Sequence, residues 1–443
     1  MSENCCSNTR RDRKDWLDSE TPISDDPRRV PVPPESKGSQ KKWILEGGRV
    51  FFGADEGVRR ATIVIEDSMI TDVLDPDEEF AADDHTVLDV SDKTVLPGLI
   101  DLHTHLTYNE PDMSIDEARS QAACTLRAVE RLRFYLESGI TSIRDAGSHW
   151  DIPFRLKDWV RDNRIPGPRV FAAGCLITAT GGHGAENLTP ASDRVGKIRE
   201  AAGADDWREA AREQFKKGAD VIKVASHFSR QEIEAAVDEA HTLGLKVMCD
   251  AETFYIDWAV EAGVDTIEHP LPRTQGTIQK MADRGVQAVP TLIPYQIIFA
   301  QQGGYFHSTS RRFSFSDEDN LQVVKSMRKA GVAMGIGTDL VADWFRYLPH
   351  AYIEELRGFS RAGYGPLEVL EAATINGAQI LDMDDRLGSI CAGKMADILI
   401  VEGRPDEQLE DLRQVDMVFR DGYMVVKDGR VHIRRHQPNP LPW

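Results

Sequence analysis

Between residues 43 and 95, apolar and polar residues alternate in short runs broken by turn residues, as in WILEGGRVFFG, ATIVIEDSMITDVL and HTVLDVSDKTVLPG. Side chains of a strand project to opposite faces in turn, so a period of two predicts short strands with one buried face. The same texture returns over residues 386–435, in SICAGKMADILIVEG and VDMVFRDGYMVVKDGRVHI. The two ends are expected to pair into one small β-sandwich built around whatever lies between them. Residues 1–42 are rich in proline, serine and charge and carry no period, so they read as a flexible tail, and 436–443 as a short C-terminal one.

Residues 96–385 follow a different rule. Short apolar runs ending in polar residues alternate with long amphipathic segments, which is the pattern of βα units around a parallel sheet. Eight such runs stand out: 96–105, 139–147, 169–177, 218–226, 245–252, 263–270, 285–292 and 331–339. Several open with glycine after a helical segment, as in EIEAAVDEAHTLG and WAVEAG, where a helix C-cap is expected. Eight strands in roughly 250 residues match an α/β architecture, the closed (β/α)8 TIM barrel. Such barrels carry their chemistry at the carboxyl ends of the strands. There this chain places His103 and His105, Lys223, Asp250, His269 and Asp339.

His103 and His105 are two residues apart on one strand, so both imidazoles face the same space, as a divalent metal requires. An HxH pair also occurs incidentally on surfaces, and its place after LPGLIDL is what favours the metal. Lys223 lies in the apolar run GADVIKVAS, where an unpaired ammonium is costly to bury. Burial lowers its pKa, and the free amine can then add carbon dioxide to give an anionic carbamate ligand. The other reading has Lys223 reaching to the rim to hold a substrate or a carboxylate. His269 closes GVDTIEH before Pro270 and offers a third imidazole. Asp339 ends GIGTD, where a carboxylate either ligates a metal and takes a proton from its water or caps the next helix.

Composition narrows the class. A formal net charge of −20 leaves no sustained basic face for phosphates, which excludes sequence-independent nucleic-acid binding. The six cysteines lack framework spacing and read as reduced thiols. The first 18 residues contain no apolar run and no stretch reaches the roughly 18 apolar residues that span a bilayer, so a cytoplasmic chain without a membrane partner is expected. A small-molecule substrate is the expected partner, with self-association left open.

The stretches PGLIDLHTHL, TGGHG at 180–184, IKVAS, GVDTIEH, GTD, LEVLEAATINGAQIL and GSICAGKMADILIV together resemble the amidohydrolase superfamily. Within it they resemble the imidazolonepropionase-like branch, with its Xaa-Pro and Xaa-Arg dipeptidases and its carbamate and phenylurea hydrolases. The resemblance spans about residues 43–435. It implies one or two divalent ions, zinc first and cobalt or manganese next. His103 and His105 would hold one ion, His269 the second, the Lys223 carbamate would bridge, and Asp339 would serve as ligand and proton acceptor. It also implies that His183 in TGGHG contacts the substrate carbonyl oxygen. One position departs from the pattern: a histidine is expected near the end of the fifth strand, and this chain has Asp250 there, with Glu252 on the same face as a substitute. His149, His227, Tyr295 and Trp344 follow strand ends and are candidates to line the pocket.

The implied reaction is hydrolysis of a C–N bond in an amide, carbamate or urea by metal-activated water, with Asp339 shuttling the proton. Two ions bring four positive charges against the carbamate, Asp250, Asp339 and a hydroxide. A dipeptidase on the same centre is the first alternative, and it needs a cation for the substrate carboxylate, for which the segment SHFSRQEIE offers His227 and Arg230. A non-catalytic barrel that lost a ligand at Asp250 is the second.

Overall fold

The computed structural model describes residues 42–53, 57–76, 78, 80, 84–108, 120–185, 197–302 and 315–432. The expected C-terminal tail lies outside them, as does the expected N-terminal tail but for Lys42, which opens the first strand. The alternating N-terminal runs form β1 (Lys42–Phe51), β2 (Val58–Glu66), β3 (Met69–Leu74), β4 (Thr86–Asp89) and β5 (Lys93–Pro97). The central runs supply β6 (Leu99–Thr104), β7 (Ile140–Asp145), β8 (Arg169–Ala172), β9 (Leu176–Ala179), β10 (Ile198–Ala201), β11 (Val221–Ala225), β12 (Lys246–Asp250), β13 (Thr266–Glu268) and β14 (Gln287–Val289). The C-terminal runs give β15 (Ile398–Glu402), β16 (Val415–Arg420), β17 (Tyr423–Lys427) and β18 (Arg430–Val431).

Both chain ends share one nine-stranded sheet, in the order β18-β17-β16-β15-β5-β1-β2-β3 with β4 beside β1. The seam is the antiparallel β15–β5 pair, in which Ile400 faces Val95 and Ile398 faces Pro97. Trp43 on β1 and Phe419 on β16 are three strands apart in that order, yet their ring centroids are 5.4 Å apart. A flat sheet spaces its strands by about 4.8 Å each, so this one curls to bring β1 and β16 over a common core that includes Leu45, Ile63, Ile398 and Ile400.

The central strands are parallel and form two sheets, β6-β7-β8 and β10-β9-β11-β12-β13-β14. Between them run α1 (Gln121–Glu137), α2 (Ile152–Arg161), α3 (Ala204–Lys217), α4 (Arg230–Thr242), α5 (Phe254–Ala262), α6 (Gln275–Asp283), α7 (Leu292–Gln302) and α8 (Asp317–Ala330). α9 (His350–Arg361), α10 (Pro366–Ala373) and α11 (Ile375–Ile380) follow. Sequence-local rules set their ends: Ser229 and Glu232 make a capping box on α4, and the expected Gly263 caps α5. Asp220 N donates to Ala172 O at 2.9 Å, linking β8 to the start of β11.

Two of the eight expected strands differ in detail. The run 169–177 divides into β8 and β9 at Gly174, whose φ of 81° turns the chain and whose Cβ position lies 2.4 Å from Gln214 Oε1, so a side chain there has no room. The run 331–339 makes single bridges instead of a continuous ladder. Gly335 N donates to Ala288 O at 3.1 Å and Leu102 N to Ile336 O at 2.8 Å, so the segment lies between β14 and β6. Among the described residues no helix is long and apolar enough to cross a membrane.

Behind the strands, Glu355 on α9 is wholly buried and accepts the N–H groups of Leu292 and Ile293, both at 2.9 Å, at the start of α7. Those donors have no partner within the helix, and a buried orphan costs free energy. Glu355→Ala is expected to destabilise the fold by roughly 3 kcal/mol, read as a lower denaturant midpoint at unchanged slope.

Candidate metal centre

β6 delivers His103 at its carboxyl end and His105 just beyond, and the GIGTD turn delivers Asp339 opposite them. The turn is held close because Gly337 lies against β6, where a Cβ would come within 2.9 Å of the His103 Cβ. Asp101 fastens it from below, accepting Thr338 Oγ1 at 2.5 Å and Thr338 N at 3.0 Å. Burial pushes the Asp101 carboxyl up to about 7 despite those hydrogen bonds.

The ring orientations decide what the histidines offer. His105 Nδ1 lies 2.7 Å from the Gly147 carbonyl, which only accepts, so that nitrogen carries the proton. His103 Nδ1 lies 2.7 Å from Glu268 Oε2, again an acceptor. Each ring therefore turns its Nε2 toward the site, and both Nε2 atoms meet the same carboxylate oxygen. Asp339 Oδ1 is 3.2 Å from His105 Nε2 and 3.7 Å from His103 Nε2. The three ligand atoms all fall within 4.8 Å of one another, the arrangement a cation satisfies. The residues present thus fit a divalent metal. Burial alone would raise the Asp339 carboxyl, but contact with His105 and the charges of His269, His105 and Lys223 hold it below the usual carboxylate range. Burial and the nearby cations, Lys223 first, push the His103 imidazole well down, which keeps it neutral.

The other predicted residues come to the same place. Lys223, on β11, is 1% exposed, and its Nζ is 3.5 Å from His103 Nε2, which discards a reach to the rim. Burial pushes its ammonium pKa down, opposed by Asp250, Glu268 and Asp339. His269 packs its ring 4.7 Å from that of His103 and sets Nε2 3.2 Å from Asp250 Oδ2. Asp250 Oδ2 is also 3.4 Å from Nε2 of His183, which arrives on the TGGHG loop after β9. Glu252 turns elsewhere, accepting Ser226 Oγ at 2.7 Å and lying 3.7 Å from His227 Nε2. At the strand ends, His269, Thr291 and Asp339 adopt left-handed backbone with φ of 66°, 47° and 49°. Strain of this kind concentrates where side chains must be aimed, and it is held here by hydrogen bonds such as His269 Nδ1 to Thr291 Oγ1 at 2.7 Å.

Of the candidate pocket residues, Tyr295 sets its ring 5.8 Å from that of His269, and buried His149 shares a 2.9 Å hydrogen bond with Thr107. Trp344 packs against the main core. Sequence reasoning missed the support under His103: Glu268 accepts Arg144 Nη2 at 2.9 and 3.0 Å and Thr266 Oγ1 at 2.6 Å, all buried. The available signal was a glutamate and an arginine inside two apolar runs, TIEH and TSIRD, each uninterpretable without its partner. Tyr108 was missed as well, its ring stacked 4.2 Å from that of His105. Glu268→Gln keeps the shape but weakens the acceptor on His103, and metal retention is expected to fall about 10–100-fold, measured as metal content after dialysis against a chelator series.

The model of the amidohydrolase family matches residues 94–425. Ochratoxinase of Aspergillus niger is 26% identical, with 92% of each chain covered. Imidazolonepropionase of Streptococcus gordonii is 24% identical over 87% of this chain and 95% of its own. A solved prolidase structure in complex with N-methylphosphonate-L-proline superposes with a TM-score of 0.77 at 29% identity, covering 88% of this chain and 100% of that one.

Proposed function

The chain belongs to the amidohydrolase family and is a hydrolase, and from that premise we propose that it cleaves a C–N bond of an amide, carbamate or urea at the site around His103, His105 and Asp339. The observation that carries this reading is the meeting of two imidazole Nε2 atoms and a carboxylate oxygen within 4.8 Å. In this proposal His103, His105 and Asp339 would hold a first ion and His269 with Asp250 a second, and the Lys223 amine would take up carbon dioxide with loss of a proton to give an anionic ligand. The sheets are taken to close as a (β/α)8 barrel of about residues 96–385, with residues 331–339 as its eighth strand, and the curled sheet of both ends (43–95 and 386–435) as a sandwich.

A divalent ion supplies an acidified water and polarises the substrate carbonyl when bound. Asp339, held ionised and beside His105, would accept a proton from the attacking water and return it to the departing amine nitrogen. His183 donates a hydrogen bond to the carbonyl oxygen as negative charge grows there. Glu268 and the Gly147 carbonyl hold His103 and His105 in the tautomer the site needs.

Asp250 places an oxygen where an imidazole would give nitrogen, which favours harder ions at the second position. Asp250→His is expected to raise the zinc-to-manganese ratio bound from an equimolar mixture, read by elemental analysis. The dipeptidase reading loses its clearest cation, since Arg230 is ion-paired with Glu261 and lies over Trp258. The test is a hydrolysis screen of aryl and alkyl amides, carbamates, ureas and dipeptides with zinc, cobalt or manganese and bicarbonate. Turnover of a non-peptide C–N substrate supports the proposal, turnover of dipeptides alone selects the dipeptidase reading on the same centre, and turnover of none of these compounds contradicts both.

A further inference from the structure

The strand ends beyond Asp250 carry a line of rings that the hydrolytic machinery does not use. It begins where His183 N donates to Ser226 O at 2.5 Å, so the TGGHG loop abuts the end of β11. His227 follows, about a third exposed, with Tyr255 tilted against it at 5.0 Å between centroids. Phe254 lies 4.3 Å from Tyr255, and Trp258 stands behind both at 5.0 and 5.5 Å. Single exposed apolar residues are ordinary. Phe254, however, is 54% exposed while joined to rings that lead back to the site.

Thr253, which precedes α5, has φ 53° and ψ −126°, a conformation that is a genuine outlier for a β-branched residue, and its side chain makes no cap hydrogen bond. Its N–H is held by Pro272 O at 3.0 Å. The turn carries the chain from Glu252 directly into Phe254 and Tyr255 on the same rim as Asp250 and His183. Strain at such a position marks a segment whose direction matters.

We propose that His227, Tyr255 and Phe254 form a subsite for a flat aromatic group on the substrate, with the scissile carbonyl at His183. This rests on the hydrolase reading of the same site and names the substrate class it selects. Rings offer large apolar faces that stack offset or edge-on with an aryl group, and an alkyl chain of equal size forfeits that geometry. Each ring removed should lower aryl affinity about three- to tenfold.

The test separates binding from turnover. Binding of 4-fluoroacetanilide is followed by fluorine NMR in the metal-loaded Asp339→Asn protein, with N-butylacetamide as competitor, and then repeated with Phe254→Ala or Tyr255→Leu added. Tighter binding of the anilide, reduced three- to tenfold by either change while the alkyl amide binds as before, supports the subsite. Equal affinity for the two compounds, or an anilide affinity that neither change alters, overturns it. Circular dichroism of the variants identifies any loss of fold, and Phe254→Tyr, which keeps the ring, should bind like the parent. Because the readout is affinity, a chain that turns over no compound of the hydrolysis screen would refute the C–N reading and leave the subsite result standing.

Discussion

Asp339→Asn is expected to lower kcat about 10³-fold or more while leaving circular dichroism and the denaturation midpoint close to the parent's. The expectation follows from what the carboxylate does and does not support. Its backbone is already fixed, because Asp339 N donates to His103 O at 2.6 Å and Thr338 is tied to Asp101. The side chain is thus free of structural duty in the turn and faces His103, His105 and His269 instead. An amide has nearly the same shape but cannot take up a proton at that oxygen, so the loss should fall on the chemical step. General acid–base catalysis is worth roughly 10²–10⁴-fold. Steady-state kinetics on the best substrate from the screen, with metal content measured on the same samples, checks it. Retention of more than a tenth of the parental kcat at equal metal content would assign the proton transfer elsewhere.

Lys223→Ala should also remove activity, by more than the roughly 10–100-fold that follows loss of an outer partner of a metal ligand. The reason is the place of the amine. A buried lysine beside the Nε2 of His103 is either an unfavourable like-signed neighbour of the cation or a modified group that binds it. A carbamate would resolve the conflict, and truncation to alanine would then open a space that a small carboxylate can enter. Acetate or propionate added to Lys223→Ala is therefore expected to restore part of the lost rate, whereas chloride at equal ionic strength is not. Intact-protein mass spectrometry of the parent under native conditions should show an added 44 Da. Absence of both the mass and the rescue would leave Lys223 as a simple amine.

Much of this was legible in the chain because strand ends in a βα pattern announce themselves by local rules. His103 and His105 follow from a period of two, and Asp339 and His269 from apolar runs that stop at a polar residue. Asp250 was readable as a departure, and the structure shows its oxygen meeting His269 and His183. What sequence could not supply was contact between distant runs. Glu268 and Arg144 are 124 residues apart, and each alone looks like an error in an apolar strand. The aromatic line from His227 to Phe254 was equally hidden, since it depends on the strained turn at Thr253 and no periodicity encodes that. The eighth strand was expected over residues 331–339, and the structure gives single bridges at Met334 and Leu340.

The most direct test is anomalous diffraction at the zinc edge from crystals of zinc-loaded protein. A strong peak bonded to the Nε2 atoms of His103 and His105 and to an oxygen of Asp339 is the predicted result. Fully loaded protein with the zinc elsewhere, and those three side chains bonded only to each other and to water, would contradict it.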